Sequence, residues 1–148
     1  MYFAVHTYQT RLSPVGEAPE IKGWMLKGGV FDSLEASDKP ILVHFWATWC
    51  KVCALEQSSI NNISDDFRVI SLASQSGGIE KVKTFVEKEG LRFPVIVDQY
   101  GAFAKQWGVV GFPSSFIVDK HNEIRFVEVG FTTEIGLKIR LWLADSFS

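Results

Sequence analysis

Cysteine is scarce in this chain: Cys50 and Cys53 are the only two among 148 residues. So few thiols exclude a fold stapled by several disulfides. None is needed at this length, where a compact domain buries roughly 70% of the surface its unfolded chain exposes. Histidine is nearly as rare, and His6, His44 and His121 stand at no ligand spacing. A structural zinc site wants four ligands, so one cysteine pair with these histidines does not supply it. Neither a metal nor an organic cofactor is expected. An excess of positive charge is also missing: 15 Lys and Arg face 17 Asp and Glu, for a net charge of −2. A basic face is the usual footprint of nucleic acid or anionic lipid as a partner, so this domain is expected to bind neither. No apolar run approaches the roughly 20 residues that span a bilayer. Met1-Tyr2-Phe3-Ala4-Val5 is too short for the apolar region of a signal peptide. It reads either as the trimmed end of an anchor or as a native start. Internal repeats and low-complexity segments are absent as well.

Aromatics, by contrast, are plentiful, with five Trp and twelve Phe. Most belong in a core, and those near the cysteines could form a binding surface. Residues 1–19 read as an N-terminal tether, because Ser13-Pro14-Val15-Gly16-Glu17-Ala18-Pro19 has two prolines, a glycine and no periodicity. Residues 20–148 read as one folded domain. Trp24-Met25-Leu26 and Val30-Phe31 flank Lys27-Gly28-Gly29 as a small hairpin. Ser33 to Asp38 reads as a turn or short helix before a strand at 41–47. A helix is expected from the cysteines to about Asp65-Asp66, then a buried strand at 68–73. Ile79, Val82, Phe85 and Val86 mark a helical face, with Gly90 as its stop. A short strand at 94–98 and a short helix at 101–107 follow. Residues 115–119 and 124–129 pair as an antiparallel hairpin. Thr132 is expected to cap a last helix that carries Ile135, Ile139, Trp142 and Leu143 inward. Strands alternating with helices predict an α/β domain, a mixed central sheet with helices on both faces.

Cys50-Lys51-Val52-Cys53 follows the strand-like run Ile41 to Ala47. A strand thus delivers two thiols to the start of a helix. There the backbone N–H groups and the helix dipole favour negative charge, and the thiolate is the form that attacks disulfides. Zinc binding lacks ligands. A structural disulfide around two residues would remove little unfolded-state entropy. A redox dithiol is the reading that remains. Position then assigns the roles. Cys50, at the helix start, is the exposed nucleophile, and Cys53, one turn in, resolves the mixed disulfide. Lys51 either favours the Cys50 thiolate or is a solvated surface charge. The Lys51-Val52 pair tunes the potential.

Phe45-Trp46-Ala47-Thr48-Trp49-Cys50-Lys51-Val52-Cys53 resembles the active-site motif of thioredoxin-like proteins, and most closely that of the TlpA/DsbE-like branch of periplasmic thiol–disulfide oxidoreductases. A second block carries the same resemblance: Asp98, Gly101, Trp107, then Gly108 to Asp119 with Gly111-Phe112-Pro113-Ser114-Ser115 inside it, then Asn122-Glu123-Ile124. The likeness covers roughly residues 18–145. It implies a thioredoxin fold with an N-terminal hairpin and a strand–helix insertion within 68–98. It further implies a cis peptide before Pro113, with Phe112 backbone groups pairing with the client chain. Only about 5–6% of X–Pro bonds are cis, so that expectation rests on the resemblance, and a trans strand-entry proline is the alternative. Trp49, Val110 and Phe112 are expected to flank the thiols as an apolar docking surface with Pro113, and Trp46 to lie in the core. The branch often places an acid where Glu56 stands. Buried, it could exchange a proton with Cys53; otherwise it is an exposed helix residue. His44 departs from the pattern, because thioredoxins have a buried Asp at that point. It is either a second proton carrier or a neutral core histidine. Ser58 stands near where relatives have a proline that bends the helix, so a straighter helix is expected.

The function these residues point to is thiol–disulfide exchange on protein disulfides, in the manner of a dedicated periplasmic reductase. The expected partners are a protein disulfide or dithiol client and a membrane-bound electron donor, with the protein held to the inner membrane through its N-terminus. Two other readings stand beside it. One is a non-catalytic, chaperone-like binding module of the same fold, and the other is a cytosolic general thioredoxin.

Overall fold

The structure is a computed structural model that describes residues 16–147. Met1 to Val15, and so most of the expected tether, lie outside it. The elements are β1 (Gly16–Glu17), β2 (Lys22–Trp24), β3 (Val30–Asp32), β4 (Ile41–Trp46), α1 (Lys51–Asp66), β5 (Arg68–Ser74), α2 (Ile79–Glu89), β6 (Val95–Asp98), α3 (Ala102–Gln106), β7 (Ser114–Val118), β8 (Glu123–Val129) and α4 (Glu134–Phe147). Six strands form one mixed sheet in the order β1-β8-β7-β4-β5-β6. β4, β5 and β6 run parallel, whereas β7 is antiparallel to β4 and β8 to β7. This is the expected thioredoxin fold.

Why these residues make this sheet follows from period-two alternation on strands buried on both faces. In β4, Leu42 and Trp46 join a core built with Cys53, Ile60 and Ile63 of α1, Val82 and Val86 of α2, and Leu137 and Leu141 of α4. Val43 and Phe45 point the other way, into a core with Ile70, Leu72, Phe116, Ala104 and Trp107. The hairpin β2–β3 is present and is joined to the main sheet by Leu26 N–H donating to the Val95 carbonyl. α2 ends where expected, with Gly90 at φ 67°, a left-handed cap that glycine adopts without a Cβ penalty. α1 runs unbroken through Ser58 to Asp66.

Three expectations need correction. Among the described residues, 16–18, expected in the tether, belong to the folded body. Gly16 and Glu17 pair with Ile124 and Glu123 of β8, and Ala18 is buried. A two-residue edge strand held by main-chain bonds leaves no periodicity to read. The inward face of α4 is Leu137, Leu141 and Ala144, while Ile135, Ile139 and Trp142 are exposed. The two stripes interleave on one helix, and both are apolar at helical spacing, so pattern alone does not choose between them. The cap of α4 is Thr133, whose Oγ1 accepts from Gly136 N–H. The Thr132 N–H is committed to another acceptor, described below.

The end of the sheet that carries the cysteines is braced by Asp98. This buried carboxylate accepts from Ser74 Oγ at 2.7 Å and from the first-turn N–H groups of Phe103 and Ala104 in α3, both at 3.1 Å. It joins β5, β6 and α3 at one point. Asp98→Ala strips a helix cap and strands three buried donors, so it should lower unfolding free energy by about 2–3 kcal/mol, measurable as a reduced urea midpoint at unchanged slope.

Candidate active site

Strand β4 ends at Trp46, and a tight turn, closed by Cys50 N–H on the Ala47 carbonyl, brings Cys50 to the N-cap of α1. Its backbone is extended, with φ −91° and ψ 113°, and its Sγ accepts from Cys53 N–H at 3.1 Å. Cys50 and Cys53 are joined as a disulfide. The two sulfurs differ in surroundings: Cys50, expected to be exposed, is half-buried, and Cys53 is 2% exposed. An N-cap acceptor that becomes a thiolate on reduction gains the orphan N–H and the positive end of the helix. Lys51 and Val52 lie outward on the exposed side of the first turn.

The opposite wall is the β7 entry loop. The Phe112–Pro113 peptide is cis, and the Phe112 carbonyl oxygen lies 3.6 Å from Cys50 Sγ. In the dithiol form that oxygen is an acceptor for the Cys50 S–H. Trp49 is 61% exposed and meets the Phe112 ring edge-on at 5.8 Å. Its indole N–H donates to the Gln75 carbonyl at 2.9 Å. Gln75 itself sits at φ 53°, a left-handed conformation uncommon outside glycine, and this aims its carbonyl across at the tryptophan. Ser76 Oγ accepts from Thr48 N–H, so the loop after β5 buttresses the turn before Cys50. Val110 is almost fully exposed, and Val109, Val110, Phe112, Tyr100 and Gln75 line a groove that shares Phe112 with the wall facing Cys50. Another cavity, among Ile21, Ile41, Trp107 and Val118, opens at the far end of the sheet and touches none of these residues.

Beneath the cysteines lies a buried polar group. Glu56 and His44 are 0% and 2% exposed. Glu56 is therefore not a surface helix residue: its Oε2 accepts from Thr132 N–H at 2.6 Å, while Oε1 has no hydrogen-bond partner. Burial pushes the Glu56 carboxyl up to about 7, against the opposing pull of the Thr132 N–H. Burial pushes His44 down to about 4. His44 Nδ1 is 2.9 Å from Ser115 Oγ, and its Nε2 is 3.9 Å from Glu56 Oε1. At neutral pH the imidazole is uncharged, so this contact is not an ion pair. His44 is thus buried and hydrogen-bonded, with its second nitrogen turned to Glu56. Among the described residues no cluster of three or more His, Cys, Asp or Glu could hold a metal.

The structure thus brings Cys50, Cys53, Trp49 and Phe112 together, with Pro113 following Phe112, and sets Glu56 against His44, while Lys51, Val52 and Val110 are exposed. Sequence reasoning missed Ser115, Gln75 and the Thr132 N–H. Two consecutive serines at the head of an otherwise apolar strand were the available signal for Ser115. The other two act through backbone groups and leave none.

The two buried groups give opposite pH slopes. Glu56, raised from 4.5 to about 7, holds its proton longer folded than unfolded. Its contribution is full below pH 4.5 and is lost as pH rises toward 7. His44, lowered from 6.5 to about 4, resists protonation when folded, so its contribution is full above pH 6.5 and is lost as pH falls toward 4. Between pH 4.5 and 6.5 they offset. Glu56→Gln should uncover the His44 slope, with stability rising with pH across that window relative to the unsubstituted protein. His44→Leu should uncover the reverse, and urea titrations at pH 4.5, 5.5 and 6.5 read both.

The Redoxin family model matches residues 14–138. A thioredoxin-like protein of Haemophilus influenzae is 34% identical over 125 residues, which cover 82% of this chain and 74% of that protein. The thiol–disulfide oxidoreductase ResA of Bacillus thuringiensis is 30% identical over 129 residues, covering 84% and 74%. A Chlorobium tepidum structure described as a thiol:disulfide interchange protein DsbE superposes with a TM-score of 0.79 at 22% identity, covering 90% of this chain and 99% of that one. With a C-x-x-C pair capping a helix opposite a cis proline, the chain belongs to the Redoxin family and is a thiol–disulfide oxidoreductase of thioredoxin fold.

Proposed function

We propose that this protein is a dedicated extracytoplasmic reductase of protein disulfides, with Cys50 as nucleophile and Cys53 as resolving thiol. In the dithiol form the Cys50 thiolate attacks one sulfur of a client disulfide. A Cys50–client disulfide forms, and the first client thiolate leaves. Cys53 then gives its proton to Glu56, and its thiolate attacks Cys50 Sγ. The second client thiolate leaves, the Cys50–Cys53 disulfide closes, and both client sulfurs take up protons. Two electrons have passed to the client. A membrane-bound donor returns them, and the protein is held to the inner membrane through its N-terminus on the periplasmic side. The TlpA/DsbE-like motif supports this setting.

The observation that carries the direction is the hydrogen-bonding at Cys50. Its sulfur meets one backbone N–H and one carbonyl oxygen. The N–H favours thiolate, and the carbonyl favours the protonated thiol. A strong oxidant needs a reduced form stabilised well beyond this. Lys51 and Val52 adjust the balance from the exposed side. Trp49, Val110, Phe112 and Pro113 receive the client, with the Phe112 backbone available to an extended segment.

The potential of the Cys50/Cys53 couple should lie closer to the −270 mV typical of thioredoxin than to the roughly −120 mV of a strong oxidant. Equilibration with glutathione followed by alkylation measures it, and a value near the latter reverses the assignment. Cys53→Ser should accumulate client mixed disulfides through Cys50, while Cys50→Ser should reduce insulin no faster than background. A binding module without redox chemistry would trap nothing. Trp49→Ala should raise KM for a protein client about tenfold, the effect of losing one exposed aromatic anchor, and leave attack on a small disulfide nearly unchanged.

A further inference from the structure

Glu56 Oε1 is buried and unpartnered in a fold that satisfies nearly every other buried polar side chain among the described residues. It faces His44 Nε2 across 3.9 Å. Closing that gap to a hydrogen bond takes a movement of about 1 Å. What such a bond would be depends on the imidazole, whose other nitrogen is held at 2.9 Å by Ser115 Oγ. A neutral imidazole has one donor nitrogen and one acceptor nitrogen, and a serine hydroxyl rotates to serve as either. Two complete arrangements therefore exist. With Glu56 ionised, Ser115 O–H donates to Nδ1 and Nε2–H donates to Oε1. With Glu56 protonated, Oε1–H donates to Nε2 and Nδ1–H donates to Ser115 Oγ. The second arrangement contains one more proton than the first. In both the imidazole carries a single nitrogen-bound proton and no charge.

We propose that His44, held by Ser115, is a positioning residue that changes tautomer with the charge on Glu56, so that carboxylate and carboxylic acid alike find a partner in the core. The role in turnover rests on the reading above that Glu56 takes the Cys53 proton. A fixed donor at Oε1 would hold Glu56 ionised, and a fixed acceptor would hold it protonated. A group that serves as either lets the carboxyl accept and release a proton near neutral pH.

No other charged group competes for that oxygen. On α1 the other titratable groups toward the buried side are Cys53, one turn earlier, and Cys50 at the N-cap. From β5 comes Ser71, whose Oγ is committed to Trp46 Nε1 and the Pro94 carbonyl. The segment before α4 offers only the Thr132 N–H, already on Oε2. On α4, Lys138 pairs with Glu134 and Asp66, and Arg140 with Glu128. The other buried carboxylates, Asp98 and Asp119, are bonded elsewhere in the fold.

Nitrogen NMR of histidine-labelled protein in the dithiol form, from pH 5 to 9, reads the tautomer directly. His44 should pass from Nδ1–H at low pH to Nε2–H at high pH near the Glu56 midpoint, without becoming imidazolium. Glu56→Gln should hold it in one form throughout. A single tautomer across the range in the unsubstituted protein, or an imidazolium within it, overturns the proposal. A second measurement follows the rate at which Cys53 displaces thionitrobenzoate from Cys50. His44→Leu should move its pH inflection upward by about one unit, which from a midpoint near 7 is about a fivefold slowing at pH 7. Ser115→Ala frees Nδ1 and leaves Nε2–H on Glu56, so it should move the inflection downward. Shifts of the same sign in both folded variants would also overturn it. A switching imidazole beside a displacement rate with no inflection would instead remove Glu56 from the reaction and leave the tautomer change standing.

Discussion

β4 is hydrogen-bonded along both edges, in parallel register to β5 and antiparallel to β7, and every residue from Leu42 to Trp46 is buried. A strand enclosed on four sides has no freedom to slip, since a one-residue shift would exchange its two faces. Whatever follows it is therefore placed with the accuracy of the core. Cys50 follows four residues later, and α1 leaves in a direction set by Cys53, Ile60 and Ile63 packing on the Leu42 and Trp46 side. The dithiol is anchored by that core through Cys53, with Cys50 packed at its edge.

The same enclosure explains the polar group beneath. β4 needs a side chain between Leu42 and Trp46 on the α1 face, and His44 occupies it. An imidazole there must be neutral, because charging it in a closed apolar layer costs too much solvation. Glu56 meets the same penalty from the helix side and responds in the opposite direction, by holding its proton. The two shifts have one cause, burial, acting on groups whose charged forms are reached by losing and by gaining a proton. A proton site poised near neutrality arises without any nearby fixed charge.

Much of this was legible in the residues. The run Ile41 to Ala47, the cysteine spacing and Gly90 placed β4, the dithiol and the end of α2 by pattern and stereochemistry alone. The cis Phe112–Pro113 peptide was legible only through resemblance, because nothing local distinguishes it from a trans strand entry. α4 was misread for a physical reason: Ile135, Ile139 and Trp142 form as regular an apolar stripe as Leu137, Leu141 and Ala144, and helical periodicity has no sign. The burial of Glu56 was beyond pattern as well. It depends on a backbone N–H from Thr132, 76 residues away, and main-chain donors leave no mark in composition.

The first turn of α1 is what separates two kinds of chemistry that would otherwise interfere. In the proposed reaction Cys50 meets a foreign disulfide, and so requires water and partners within reach. Cys53 requires the opposite, since a resolving thiol open to solvent would itself be captured by oxidants and clients. Cys50 stands at the N-cap, before the first helical residue, and Cys53 one turn in, so one sulfur is half-buried at the mouth of the helix and the other lies against the sheet, near enough to bond to each other. Burying Cys53 raises the cost of its thiolate, so a nearby proton acceptor becomes a requirement of the arrangement rather than an addition to it. Glu56 sits one turn further along the same helix, on the same buried side. In the proposed reaction, the spacing of Cys50, Cys53 and Glu56 would thus be one helical register serving attack, resolution and proton uptake in order of depth.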